Sequence, residues 1–172
     1  QLPLTLREVV AVGRTGLAGL FRRLSAEDWA VVDQWIDHLG LASLSGGAYA
    51  ELSGGEQRKG LIARAMAQSP AMLILDEPTA YLDLRWREEI VRTIDRLVGE
   101  TGVTVVMVCH ELEALPSRCR RVVLLDGGRV IGDGEPESVL NARRVASLYG
   151  PGMSVLHRDG RHAAVPMEGG EL

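Results

Sequence analysis

The chain has 172 residues, 46% hydrophobic and 24% charged, with a net charge of −4; that composition suits one packed domain and argues against disorder. The acidic balance offers no basic field for DNA or RNA, and the arginines at 22–23 and 118–121 have acids nearby. No apolar run approaches the ~20 residues needed to cross a bilayer, the longest strong one covering residues 103–109, so a soluble, cytoplasmic chain is expected.

Thr5 and Glu8 have the spacing of a capping box, which predicts a short helix with Leu6, Val9 and Val10 on one face and Gly13 as its stop. Residues 14–24 then read as a loop. Ser25 opens a longer helix in which Trp29, Val32, Ile36 and Leu39 recur at helical spacing before Gly40 ends it. A third helix is expected from Ser53 to about Gln68, burying Leu61, Ile62, Ala65 and Met66, with Ser69-Pro70 as its breaker. Beyond it strands alternate with helices: strands at 72–76, 103–109 and 122–125, and a helix at 84–98 with Ile90, Ile94 and Leu97 inward. Such alternation implies a parallel sheet. Asp126-Gly127-Gly128-Arg129 reads as a hairpin turn, residues 135–149 as mostly helical, and 157–162 as one more hairpin, beyond which the Gly-rich end is expected to fray. Cys109 and Cys119 lack partners at metal-ligand spacing and are expected to be free thiols, while Trp29, Trp35 and Trp86 read as packing residues.

Two segments carry the chemistry. In Leu52-Ser53-Gly54-Gly55-Glu56-Gln57, Ser53 and Glu56 form a capping box, so the Ser-Gly-Gly stretch should lie at a helix N-terminus, where unpaired amides and the helix dipole favour an anion. In Leu73-Ile74-Leu75-Asp76-Glu77-Pro78-Thr79, an apolar run reads as a strand buried on both faces that delivers two carboxylates at its carboxyl end, where open α/β sheets bind ligands.

With Asp83 in Ala80-Tyr81-Leu82-Asp83 and His110 after the 103–109 strand, these segments resemble the ATP-binding subunit of ABC transporters, in that family's motif order. The resemblance implies an α/β fold: a partial P-loop NTPase (ABC ATPase) with a mostly parallel sheet flanked by helices. It places a helical subdomain with the signature helix over residues 1–68, an α/β lobe with Walker B, D-loop and H-loop over 69–150, and a tail over 151–172. It makes Glu77 and His110 catalytic, Leu52, Ser53, Gly54, Gly55, Glu56 and Asp83 ATP-binding, and Asp76 the Mg²⁺ residue, acting through water. ATP and Mg²⁺ are the implied cofactors. The implied partners are a second ATP-binding subunit, with each nucleotide lying between two copies, and a transmembrane permease at the inner face of the membrane.

No Gly-x-x-x-x-Gly-Lys-Ser/Thr occurs in these residues, and Lys59 is the single lysine. The Walker A region is therefore expected in a missing N-terminal portion of the same domain, and the 172 residues alone are expected to be inactive. Gln1 is a candidate for the family's Q-loop glutamine. Residues 4–14, 20–25 and 148–150 are similar to importers of metal ions or metal chelates such as siderophores, haem or cobalamin; Glu111, where many members carry Asp, and 115–119 depart from that pattern. Two alternatives remain: a soluble ABC-type ATPase of translation or DNA repair, and a non-catalytic remnant, against which the joint presence of Glu77 and His110 argues.

Overall fold

The computed structural model describes residues 4–19 and 22–167. The candidate Gln1 and the end of the chain, where fraying is expected, lie outside the described residues. The chain forms two compact units, Gln1–Val108 and Cys109–Leu172.

The first unit carries helices α1 (Leu6–Ala18), α2 (Ala26–His38), α3 (Gly54–Met66) and α4 (Leu84–Thr101), with strands β1 (Met72–Asp76) and β2 (Thr104–Val108). The first three helices each open on a complete capping box, Thr5 with Glu8, Ser25 with Asp28 and Ser53 with Glu56, so local sequence chemistry marks where they start. α1 runs past the expected stop. Gly13 lies inside it because α1 crosses α3 so closely that a β-carbon there would stand 2.1 Å from the Arg64 carbonyl oxygen. The loop expected over 14–24 therefore begins only after Ala18, and Arg14 reaches from the helix to Asp28 at 2.8 Å and to the Ala67 carbonyl at 2.9 Å.

Leu6, Val10, Val32, Ile36, Ile62, Met66, Ile90, Ile94 and Leu97 form the core of this unit, burying the apolar stripes of all four helices. In α3, Ala63 is buried and Leu61 only half-buried, a small rotation from the expected face. β1 and β2 pair in parallel, Met72 opposite Thr104 through Asp76 opposite Val108. The expectation of burial on both faces fails here: Leu73 is 3% exposed, but its neighbour Ile74 is 70% exposed and Val106 and Val108 are exposed beside it. The helices of this unit cover one side of the pair, so strand alternation leaves the other side bare.

In the second unit, a short 3₁₀ turn (Leu112–Ala114) precedes β3 (Val122–Asp126) and β4 (Arg129–Gly134), then α5 (Pro136–Val139), α6 (Ala142–Tyr149), β5 (Met153–Arg158) and β6 (Arg161–Pro166). Both strand pairs are antiparallel hairpins, turning at Gly127-Gly128 and Asp159-Gly160 as expected. Among the described residues β3 and β4 form a two-stranded antiparallel sheet. Leu112, Ala114, Val122, Leu124, Val139, Leu140 and Val145 are buried in this unit.

Candidate nucleotide site

Ser53 is the N-cap of α3 in extended conformation, and Gly54 and Gly55 are its first helical residues. The Glu56 amide donates to Ser53 Oγ at 3.4 Å, while the Ser53 amide and hydroxyl donate to Glu56 Oε2 at 2.8 and 2.7 Å. Hydrogen bonds from Ser53 hold the Glu56 carboxyl below its ordinary range. Those bonds use the Ser53 and Glu56 amides and leave the Gly54 and Gly55 amides at the positive end of the helix as the donors an anion would meet.

The segment before the turn is tied to α3 by Gln57, whose side-chain amide donates to the carbonyls of Tyr49 and Leu52, both at 3.1 Å. Tyr49 returns a bond from its hydroxyl to the Gln57 carbonyl at 2.9 Å. This links Leu52 and the approach to Ser53 to the helix body. Gly55 is buried under Trp86: a β-carbon there would stand 2.0 Å from the indole.

Asp76 ends β1, exposed, opposite Val108 at the carboxyl end of the parallel pair. Glu77 follows at φ 44°, a left-handed conformation of order 1–3 kcal/mol above extended backbone, and its amide donates to the Val108 carbonyl at 2.9 Å. The two carboxylates thus sit at the tip of the sheet, the second where the chain turns out of it. Pro78 and Thr79 are buried behind them. An exposed single carboxylate such as Asp76 suits Mg²⁺, which keeps most of its water and takes one or two carboxylates.

Asp83 caps α4, accepting from the Trp86 amide at 2.8 Å. Its loop comes against the Ser-Gly-Gly turn, with Leu82 3.5 Å from where a Gly54 β-carbon would lie. The structure therefore brings Ser53, Gly54, Gly55 and Asp83 into one neighbourhood, and sets Asp76 and Glu77 together on the strand tip.

His110 belongs to the second unit, exposed, with its carbonyl accepting from the Tyr149 hydroxyl. Neither Cys109 beside it nor Cys119 forms a disulfide among the described residues, and burial pushes the Cys109 pKa up to about 11, which keeps it an unreactive thiol. Among the described residues no three His, Cys, Asp or Glu side chains converge on a metal position, and no helix is long and apolar enough to cross a membrane.

Residues 3–80, spanning the Ser-Gly-Gly turn and the Asp76-Glu77 tip, match the family described as ABC transporter. The chain belongs to that family. The petrobactin import ATP-binding protein FpuC of Bacillus anthracis is 35% identical over 153 residues, covering 87% of this chain and 55% of that protein. The hemin import ATP-binding protein HmuV of Bordetella avium is 35% identical over 161 residues, covering 89% of this chain and 60% of that protein. The fold matches that of a putative metal-chelate type ABC transporter in an inward-facing conformation, with a TM-score of 0.85 and 24% identity over 98% of this chain and 68% of that one. The chain thus spans little more than half the length of these curated relatives.

In this ABC transporter chain, three residues around the site were given no role there by the motif reading: Tyr49, Lys59 and Trp86. Their signal was present but local. Lys59 stands four residues after Gly55 and Trp86 three after Asp83, one helical turn from each motif residue, where side chains share a face.

Proposed function

We propose that this chain supplies the signature and Walker B parts of the ATP-hydrolysing subunit of an ABC importer, one that powers uptake of a metal ion or metal chelate. The observation that carries the reading is the pairing, within one unit, of a helix N-terminus whose first residues are Gly54 and Gly55 with a strand tip bearing Asp76 and Glu77.

In-line attack of water on a γ-phosphate needs charge neutralisation, an oriented water and donors for the charge that develops. Asp76 would hold Mg²⁺, which would supply the neutralisation. Glu77 polarises the attacking water, and its fixed turn out of the sheet limits where that carboxylate can reach. His110 contacts the γ-phosphate. The turn at Leu52, Ser53, Gly54, Gly55 and Glu56 serves ATP gripped by a second copy, and Asp83 links the two sites. The Ser53 hydroxyl rotates off Glu56 to reach the anion, which costs one charge-assisted bond.

The phosphate cradle then comes from a segment outside these 172 residues, and these residues alone do not hydrolyse ATP. Residues 1–68 act as the helical subdomain that docks on the permease, 69–150 as the catalytic lobe and 151–172 as a tail, at the cytoplasmic face of the membrane. The import names of FpuC and HmuV support the choice of solute class.

Glu77→Gln in the complete subunit tests the reading. Phosphate release under saturating Mg-ATP should fall by about 10²–10⁴-fold, the usual worth of a general base, with the subunit still recovered on its permease. An unchanged rate removes Glu77 from the chemistry.

A further inference from the structure

We propose that Trp86 is a positioning residue, a clamp that fixes the Ser-Gly-Gly turn to the Asp83 loop so that the two move as one piece. This rests on the reading of both segments as parts of a nucleotide site.

Trp86 stands in the first turn of α4, and its amide donates to Asp83 at 2.8 Å. Its backbone is therefore tied to the Asp83 loop. Its ring lies against Gly55: a β-carbon built there would stand 2.0 Å from Cδ2, 2.1 Å from Cε3 and 2.6 Å from Cγ. No side chain fits in that space. The glycine is required by the indole.

The contact continues on the next turn of both helices. Lys59, 8% exposed, reaches Glu89 at 2.7 Å and lies 5.9 Å from the centre of the Trp86 ring. A buried ammonium is tolerated only when paired, so the chain's single lysine fixes the register of α3 on α4 while its charge favours the ring face. Leu82, 3.5 Å from the Gly54 β-carbon position, closes the same seam from the loop side. Ring, ion pair and leucine together span from Asp83 to the second turn of α3. A displacement of α4 consequently carries the Gly54 and Gly55 amides with it, and loss of the ring lets the turn drift from Asp83.

The test uses the complete subunit, with kcat and KM for Mg-ATP and the melting temperature measured for Trp86→Ala, Trp86→Phe, Gly55→Ala and the Gly55→Ala/Trp86→Ala pair. Misplacing transition-state donors by a fraction of an ångström to 1 Å costs about 10- to 100-fold. Trp86→Ala should lose that much in kcat with KM changed less than about twofold, and Trp86→Phe should restore most of it. Gly55→Ala should be severe alone and milder in the Trp86→Ala background, where the collision is gone. A wild-type kcat in a folded Trp86→Ala subunit overturns the clamp, as does a Gly55→Ala defect that Trp86→Ala leaves untouched. Glu77→Gln, run in parallel, separates the two readings: full activity there sinks the nucleotide-site assignment, whereas an inactive Glu77→Gln beside a normal Trp86→Ala sinks the clamp alone.

Discussion

The N-terminus of α3 and the carboxyl tip of β1 belong to the same unit and the same proposed chemistry, yet they are held in different ways. The turn at Ser53 is fixed by short-range bonds, from the Ser53–Glu56 box to the Gln57 bridge and the indole over Gly55. The tip at Asp76 is fixed by backbone pairing to β2 and by one packed face, while Met72, Ile74, Val106 and Val108 stand in solvent on the other. A helix cap carries its instructions within four residues. A parallel strand depends on whatever covers it.

Adjacent substitutions in β1 break or sharpen that contrast with the largest effect. Leu73→Ala removes a side chain 3% exposed and should cost about 2–5 kcal/mol in urea unfolding. Ile74→Ala, beside it and 70% exposed, should stay within about 0.5 kcal/mol in the 172-residue chain. Repeating Ile74→Ala in the complete subunit extends the test, since a cost there comparable with that of Leu73→Ala means that the bare face is covered. Equal costs in the short chain would mean that β1 does not pack as described.

The same contrast explains what could be read from the sequence. The helix starts at Thr5, Ser25 and Ser53, the strand at 72–76, both hairpins and the α4 face at Ile90, Ile94 and Leu97 were legible because each is set by a pattern a few residues long. Gly13 was misread as a stop because its reason lies in Arg64 on another helix. The bare face of β1 was hidden for a related cause: an apolar run states what a strand can bury, not which side finds a cover. Of the candidate residues, Ser53 was placed correctly as a cap by local spacing, but Trp86 passed as ordinary packing because its contact with Gly55 joins two helices.

Removing the cap gives an intermediate effect. Ser53→Ala deletes the acceptor for the Glu56 amide and one of the two donors to the Glu56 carboxylate, and should cost about 1 kcal/mol. Hydrogen exchange should show the loss at the first turn of α3, with the amides of β1 unchanged. Protection lost equally at both places would mean that the turn and the tip are one cooperative structure.

The smallest expected effect separates the turn from the second unit by pH. Burial first, then the neighbouring His157, holds the His162 pKa below its ordinary value, with Arg161 acting in the same sense and Glu137 opposing. The rings of His157 and His162 meet Nδ1 to Nδ1 at 2.7 Å, and His157 Nε2 lies 3.0 Å from the Leu140 carbonyl. One Nδ1 must accept while the other donates, so a doubly protonated pair cannot keep this contact. The native hairpin favours neutral His162 and the unfolded chain takes the proton first, so the stability it contributes is present above about pH 6.5 and is lost as pH falls below that. Glu56 works lower on the scale. Its depressed native pKa contributes stability that is present above about pH 4.3, the unfolded value, and is lost as pH falls further. Amide exchange followed from pH 7 downwards should therefore loosen β5 and β6 before the first turn of α3, and His162→Phe should abolish the earlier step alone. Loosening of both at one pH would contradict the assignment of separate titrating groups to the two regions.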